Sequence, residues 1–413
     1  MTHAITQCRI CGGTHLQTVM SLGDQALTGV FPKTPDQPVT RGPVDLVRCA
    51  AADGCGLVQL RQSYDLSEMY GMNYGYRSGL NASMVRHLQG KVDRILGLGL
   101  LQPGDLVIDI GSNDATTLRS YPAGRYELVG VDPTGVKFAS YYPAHIRLIP
   151  DFFSAAALQA SVPGRKARVI TSFSMFYDLE DPVAFAREVA ATLHDEGIWV
   201  FEQSYLPAML RTNSFDTICH EHLEFYALRQ IHWIAGQAGL KVLDVEFNDI
   251  NGGSFSVTAA RAASAHEPNK AVLAQIAADE AALGLDSDQA FADFKLRVQQ
   301  AQAALLDFLA QQKAQGRTVC GMGASTKGNV LLQYWGIGPE LLASIAEVNA
   351  DKFGSYTPGS LIPIRAQTDV LASEPDYLLV LPWHFRNFFV SNPALKGRKL
   401  VFPLPVFEVV DVR

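Results

Sequence analysis

Ten consecutive residues, Thr217 to Tyr226 (TICHEHLEFY), hold two histidines, two glutamates and a tyrosine, the densest proton-transfer set in the 413-residue chain. In an extended segment alternate side chains share a face, so His220 and His222 are expected on one side and Glu221 on the other, with both imidazoles serving one pocket. Imidazole titrates near neutrality and suits acid/base work. A zincin-type metal site would need histidines at i and i+4 and a third ligand, which this spacing does not offer. A solvated His/Glu surface loop is the plain alternative.

A second constellation reads VIDIGSND from Val107 to Asp114. It places Asp109 at the end of a buried strand, followed by Gly111, Ser112 and Asn113 at a turn where backbone N–H groups are open to a cofactor. The next strand ends in Val129-Gly-Val-Asp132, followed by Pro133, an acid about twenty residues on that can accept a ribose's two hydroxyls. Nicotinamide and S-adenosylmethionine (SAM) sites share this spacing. A dinucleotide fingerprint needs glycines where Asn113 and Thr116 stand, whereas SAM carries no phosphates and tolerates their loss. Asp151-Phe152 and Ser172-Phe173 close the following strands and are expected to meet the adenine.

Four of the six cysteines fall within the first 55 residues. Cys8 and Cys11 form a Cys-x2-Cys knuckle, and Cys49 and Cys55 supply two more thiolates. The set suits a closed tetrahedral Zn2+ site of structural type. A redox Cys-x2-Cys would need a βαβ context that this segment lacks.

These groups are positioned by an α/β chain. Strands are expected at 44–47, 56–60, 106–110, 126–131, 167–172 and 197–202, alternating from residue 84 onward with helices near 84–101, 182–194 and 229–238. An Ala/Gln/Glu-rich stretch, 270–315, reads as long helices broken at Gly284–Ser287, and short strands follow at 318–322, 344–347, 377–381 and 399–401. The expected organisation is a zinc-binding module (1–78), a central class I SAM-binding Rossmann-like domain (79–255) and a second Rossmann-like α/β domain (256–413). In the last, Val319 to Lys327 is a strand, Gly turn and helix start suited to a diphosphate, with Lys327, Asn329, Asn349 and Lys352 clustered after neighbouring strands. Trp383 and His384 are expected to stack a base, or to pack in the core. Tyr74, Tyr76, Arg77 and Asn81 lie in a Tyr/Asn/Gly-rich loop of ligand-facing character.

Composition narrows the partners. With 34 Lys and Arg against 41 Asp and Glu, the net charge is -7, and no basic run offers a footprint for nucleic acid. No apolar stretch reaches membrane-spanning length, and the first residues lack a signal peptide's basic start and apolar core, so a cytoplasmic protein is expected.

The motifs Cys8-x2-Cys11 with Cys49 and Cys55, Tyr74-Gly-Tyr-Arg-Ser-Gly-Leu80, Asp109-Ile-Gly-Ser-Asn113, His220-Glu-His222 and Gly321-Met-Gly-Ala-Ser-Thr-Lys-Gly-Asn329, in that order, resemble the nucleotide-sugar C-methyltransferases of deoxysugar biosynthesis, the family of the tetronitrose and mycarose C-3-methyltransferases. The resemblance implies methyl transfer from SAM to the carbon beside the 4-keto group of an NDP-hexose, held between the central and C-terminal domains. It implies His222 as the base, Glu221 beside it and Tyr76 reaching over from the N-terminal domain. Cys219 stands where the family has a Tyr, and Tyr177 where it offers a His, so either Tyr177 takes over that acid/base function or the regiochemistry differs. The alternatives are O-methylation or methylation of a non-sugar carbon, a nicotinamide oxidoreductase, and a zinc-anchored binding protein without catalysis. A monomer or weak homo-oligomer is expected.

Overall fold

The structure, a computed structural model, describes residues 3–65, 69 and 76–413. Tyr74 therefore lies outside the described residues.

The N-terminal module is built on strands β1 (Leu16–Ala26), β2 (Arg41–Cys49) and β3 (Val58–Leu60). The runs expected at 44–47 and 56–60 fall in β2 and β3. No strand was expected at β1, because its apolar alternation is broken where the β1–β2 register slips around Gly23 (φ +71°).

The central domain follows as α1 (Ala82–Gly97), β4 (Leu106–Ile110), β5 (Glu127–Val131), β6 (Ile146–Ile149), β7 (Ala167–Phe173), α2 (Pro182–Thr192) and β8 (Leu193–Ser204). Then come the short strand β9 (Glu224–Phe225), α3 (Leu228–Gln237), and the antiparallel pair β10 (Leu240–Asn248) and β11 (Ser254–Arg261). Seven strands form one sheet in the order β10-β11-β8-β7-β4-β5-β6, parallel apart from β11, which runs antiparallel to both β8 and β10. Strands such as Leu106-Val-Ile-Asp-Ile110 are buried along their whole length because helices cover both faces. The expected boundary at residue 255 falls inside β11, so the sheet runs to Arg261. No strand was expected at β10 or β11 either. Their connection contains Asn251, Gly252 and Gly253 at φ +56°, +90° and +122°. A Cβ at Gly253 would lie 2.5 Å from the Ala208 Cβ, so that turn requires glycine.

Two helices, α4 (Lys270–Ala282) and α5 (Asp288–Ala314), bridge to the C-terminal domain. On α5 the residues Phe291, Phe294, Val298, Ala301, Leu305 and Leu309 recur every three or four positions and are all buried. Full burial of a side chain such as Phe294 contributes about 1.5–3 kcal/mol. The last domain comprises β12 (Val319–Met322), α6 (Thr326–Trp335), β13 (Ile345–Glu347), β14 (Ile364–Ala366), β15 (Tyr377–Val380), β16 (Lys399–Phe402) and β17 (Glu408–Asp411), a six-stranded sheet ordered β14-β13-β12-β15-β16-β17.

The strand β9 carries the most consequence for the site. It belongs in sequence to the central domain, yet it pairs with β3 and completes the four-stranded sheet β9-β3-β2-β1 of the N-terminal module. Met20, Leu46 and Leu60 of that sheet share a core with Phe215, Ile218 and Leu223, with α5 and with the C-terminal sheet. The chain from 215 to 225 is thus held where all three units meet. Among the described residues no helix is long and apolar enough to cross a membrane.

Candidate active site

The four cysteines converge. Their Sγ atoms all lie within 4.8 Å of one another, and Cys8–Cys55 and Cys11–Cys49 are each 3.5 Å apart. Four thiolates at about 2.3 Å from Zn2+ would sit about 3.8 Å from each other, so the set fits a closed tetrahedral ion. Cβ atoms at Gly13 and Gly54 would come within 3.1 and 2.8 Å of Cys49 Sγ, so both glycines clear space for the thiols. Arg9, between the first two ligands, escaped sequence reading because a lone Arg in a knuckle carries no signal. Its buried guanidinium donates to Leu60 O (2.5 Å) and Ser63 Oγ (2.8 Å), and lies 3.7 Å from Glu224 on β9.

At the carboxyl ends of β4 and β5, the cofactor residues assemble around one turn. Asp109 is buried and accepts from Thr171 Oγ1 at 2.6 Å; burial pushes its carboxyl up to about 7. Gly111 has φ +73°, and a Cβ there would lie 3.1 Å from Met175 Cγ. Asp132 takes three hydrogen bonds: Oδ2 from Asn113 N (2.7 Å), and Oδ1 from Thr134 N (2.7 Å) and Thr134 Oγ1 (2.6 Å). Oδ1 is then saturated while Oδ2 keeps one lone-pair direction, which fits a ribose hydroxyl. The turn thus fits SAM.

Residues 76–79 lie against this turn. Ser78 N donates to Asn113 Oδ1 (3.0 Å), Gly79 N to Asp114 Oδ2 (3.1 Å), and Asn113 Nδ2 to Tyr76 O (3.3 Å). Arg77, expected at the substrate, pairs with Asp114 (3.6 Å) and stacks on Tyr141 at 4.4 Å, beside this turn. The Tyr76 side chain is 47% exposed. Asn81, also expected at the substrate, caps α1 with its side chain, accepting from Ser83 N at 2.9 Å. Ser172, expected at the adenine, is buried and accepts from Trp199 Nε1 at 2.9 Å. Phe173 is partly exposed at the end of β7; Asp151 and Phe152 are exposed beyond β6, and Pro133 is partly exposed beside Asp132. Because Asp132 fastens the turn and keeps one acceptor direction open on Oδ2, Asp132→Ala is expected to weaken SAM affinity at least tenfold, about 1.4 kcal/mol. Calorimetric titration with SAM checks this, and unchanged affinity would remove Asp132 from the cofactor site.

The two histidines part company. Residues 219–222 form a turn closed by His222 N donating to Cys219 O (3.1 Å), not an extended segment, so the expected shared face does not exist. His220 is fully buried in the N-terminal module, edge-on to Tyr64 with centroids 4.5 Å apart. His222 points the other way and meets Tyr177 edge-on, also at 4.5 Å. Its Nδ1 lies 2.7 Å from Thr217 O; a carbonyl can only accept, so Nδ1 carries the proton and Nε2 keeps its lone pair. Burial lowers the proton affinity of His222; Glu221 opposes this and Lys327 adds to it. Glu221 reaches toward the N-terminal module, with Oε2 3.4 Å from Thr28 Oγ1. Cys219 is buried beneath this pair, and desolvation lifts its thiol well above the ordinary range, which makes it an inert neighbour.

In the C-terminal domain the expected diphosphate cradle is closed by protein. Cβ atoms at Gly323 and Gly328 would each lie 2.8 Å from Pro382 and Leu381, so these glycines serve packing. Asn329 is buried and donates to Thr28 O (2.7 Å); Lys352 donates to Ala324 O (2.8 Å) and covers the Phe31 ring; Asn349 caps its own turn. Trp383 is 4% exposed and donates to Asp216 Oδ2 (2.8 Å), so it offers no open face to a base. His384 is partly exposed beside it, with Nδ1 unpartnered. Lys327 leaves its own domain altogether and donates to Asn251 O in the β10–β11 turn. Sequence reading missed Asp216 and Asn251; only the Asn-Gly-Gly turn signal at 251–253 marked that place.

Known proteins resemble this chain along most of its length. Family models match as a zinc binding domain over residues 8–70, a methyltransferase domain over 80–245 and a C-methyltransferase C-terminal domain over 249–405. The C-methyltransferase NovU of Streptomyces niveus is 30% identical across 98% of this chain and 97% of its own. Among solved structures, an S-adenosylmethionine-dependent methyltransferase from Clostridium acetobutylicum is 15% identical, covering 42% of this chain and 90% of that one with a TM-score of 0.33. The magnesium protoporphyrin IX methyltransferase of Synechocystis is 15% identical over 43% and 79%, with a TM-score of 0.32. With its cysteine cluster, its cofactor turn and a full-length relative of this kind, the chain belongs to the SAM-dependent C-methyltransferase family.

Proposed function

We propose that the protein methylates a carbon next to the 4-keto group, C3, of an NDP-4-keto-6-deoxyhexose by way of an enolate. The observation that carries this reading is the pinned tautomer of His222, with Nδ1–H held on Thr217 O and Nε2 left as a base beside Tyr177. A carbon acid next to a ketone needs a positioned base whose conjugate acid forms near the working pH, and imidazole meets that need. SAM, when bound at the Asp109–Asp132 turn, supplies an electrophilic methyl group. His222 takes the proton, Glu221 balances the imidazolium that results, and the Tyr177 ring fixes the plane of the imidazole. The relative from S. niveus is named a C-methyltransferase, which favours carbon over oxygen as acceptor. The sugar nucleotide would occupy the crevice between the two α/β domains. A cytoplasmic setting, where thiols are kept reduced, suits a four-cysteine zinc site of this geometry.

The test is incubation with 4-keto-6-deoxyhexose nucleotides in deuterated water, with and without SAM, followed by mass spectrometry of the sugar. Deuterium uptake without SAM and an acid-stable methyl gain with it are expected; a methyl ester or ether with no exchange would overturn the reading. A pH profile gives a further check. The reaction needs neutral His222, whose proton affinity lies below the free value of 6.5, so kcat/KM is expected to hold at neutral pH and fall on acidification below about 6.5. An acidic limb centred above about 7 would contradict His222 as the base.

A further inference from the structure

We propose that Lys327 is a further catalytic residue, the cation that receives the negative charge on the substrate's enolate oxygen; the inference rests on the ketosugar reading above. Removal of the α-proton by His222 Nε2 leaves the C–H electron pair in a new C=C bond, with the carbonyl electrons on oxygen. That oxygen needs a fixed donor, and a preorganised charge in a dry crevice is the most effective kind. The enolate carbon then attacks the methyl group, and the sulfonium's bonding pair returns to sulfur. No Tyr stands at position 219 to donate, and Cys219 is buried.

The placement of Lys327 is the main argument. It sits in the first turn of α6, yet Nζ crosses to the central domain and donates to Asn251 O, 3.7 Å from where a Gly252 Cβ would be. A continuous set of contacts runs from there to the cofactor turn: Asn251 Nδ2 lies 3.5 Å from Ser174 Oγ, Ser174 precedes Met175, and Met175 packs on Gly111. Tyr177, two residues further, packs on His222. Lys327 is therefore joined through Asn251 and residues 174–177 to both the methyl donor's turn and the base, and its charge reaches His222. The glycines around it are filled by Pro382 and Leu381, which leaves no diphosphate cradle to claim the ammonium. One of its three donor directions is used by Asn251 O, and two remain for an incoming oxygen. Asp216 faces the same space, with Oδ2 held by Trp383 and Oδ1 without a hydrogen-bond partner. The Lys327 charge is felt at His222 and His384, whose proton affinities it lowers, and burial depresses its own.

Two measurements on Lys327→Met test this, with Lys327→Arg keeping the charge as a control for folding. The first is SAM-independent C–H exchange of the 4-keto-6-deoxyhexose nucleotide in deuterated water. It is expected to fall by about 100-fold or more, as on removing an oxyanion donor, while SAM affinity is unchanged. Unchanged exchange with weakened sugar-nucleotide binding would make Lys327 an anchor for phosphate and overturn the proposal. The second needs no substrate: the NMR titration of the His222 ring. Its midpoint is expected to rise in Lys327→Met because a nearby cation is lost, Glu221 being the carboxylate whose charge also acts on the ring and Tyr177 the side chain packed on it. An unshifted midpoint would place Lys327 outside the site. A wild-type enzyme that exchanges nothing contradicts the ketosugar reading and this inference with it. Wild-type exchange that Lys327→Met retains contradicts this inference alone.

Discussion

His222→Asn is expected to abolish methyl transfer while leaving SAM affinity nearly intact. Asn can reproduce the Nδ1–H bond to Thr217 O through its amide N–H, so the turn at 219–222 keeps its shape. What disappears is the Nε2 lone pair. Loss of a positioned general base costs about 10²–10⁴ in rate, and no neighbour can replace it: Glu221 is directed at Thr28, and His220 lies on the far side of the turn against Tyr64. Among the described residues the cofactor turn at Asp109 to Asp132 shows no hydrogen bond to this loop, so calorimetry with SAM should give a value close to wild type. Single-turnover methyl transfer and C–H exchange should fall together, because both need the same proton removed. If exchange survived while transfer failed, His222 would be acting after the enolate and another group would be the base.

The sequence made much of the cofactor site readable and little of the substrate site, for a physical reason. Asp109, Gly111 and Asp132 sit at the ends of two adjacent parallel strands joined by one short crossover, where spacing along the chain fixes position in space. The same holds for a cysteine knuckle. His220 and His222 were separated by a tight turn that no alternation rule foresees, and Ser172 turned inward to Trp199. Lys327 and Asp216 come from segments more than one hundred residues apart, joined only where two domains pack, and nothing local in either segment signals the other. The strand β1 was hidden by a register slip at Gly23, and β11 by a turn read as a domain edge.

Removal of zinc is expected to stop the reaction by disordering the base rather than by dissolving the protein. The cysteine end of the module, residues 8–13 and 49–57, brings only a few apolar side chains, Ile10 and Leu57 among them, to the core of the central domain, and a structural Zn2+ contributes about 10–16 kcal/mol to comparable small folds. The other end of the module holds no ligand to the metal: Met20, Leu46 and Leu60 share the core of α5 and the C-terminal sheet, and that burial does not depend on the metal. Chelation, or Cys11→Ser, should therefore unfold the knuckle locally. The effect reaches the site along the backbone. Cys55 O accepts from Gln230 Nε2 (2.7 Å), Arg9 links the knuckle to Leu60 and Glu224, and Leu60 N donates to Leu223 O (2.8 Å), the residue after His222. With β3 loosened, β9 loses its partner and His222 its fixed position, and a displacement of about 1 Å is enough to cost about 100-fold. The expected result is a fall of that order in kcat in proportion to zinc lost, with most helical circular dichroism retained and with increased hydrogen exchange confined to residues 8–13, 49–60 and 219–226. Full activity in a zinc-free preparation would show that packing alone holds β9. Loss of all secondary structure would instead make the metal a global support, since the core shared with α5 would then depend on it.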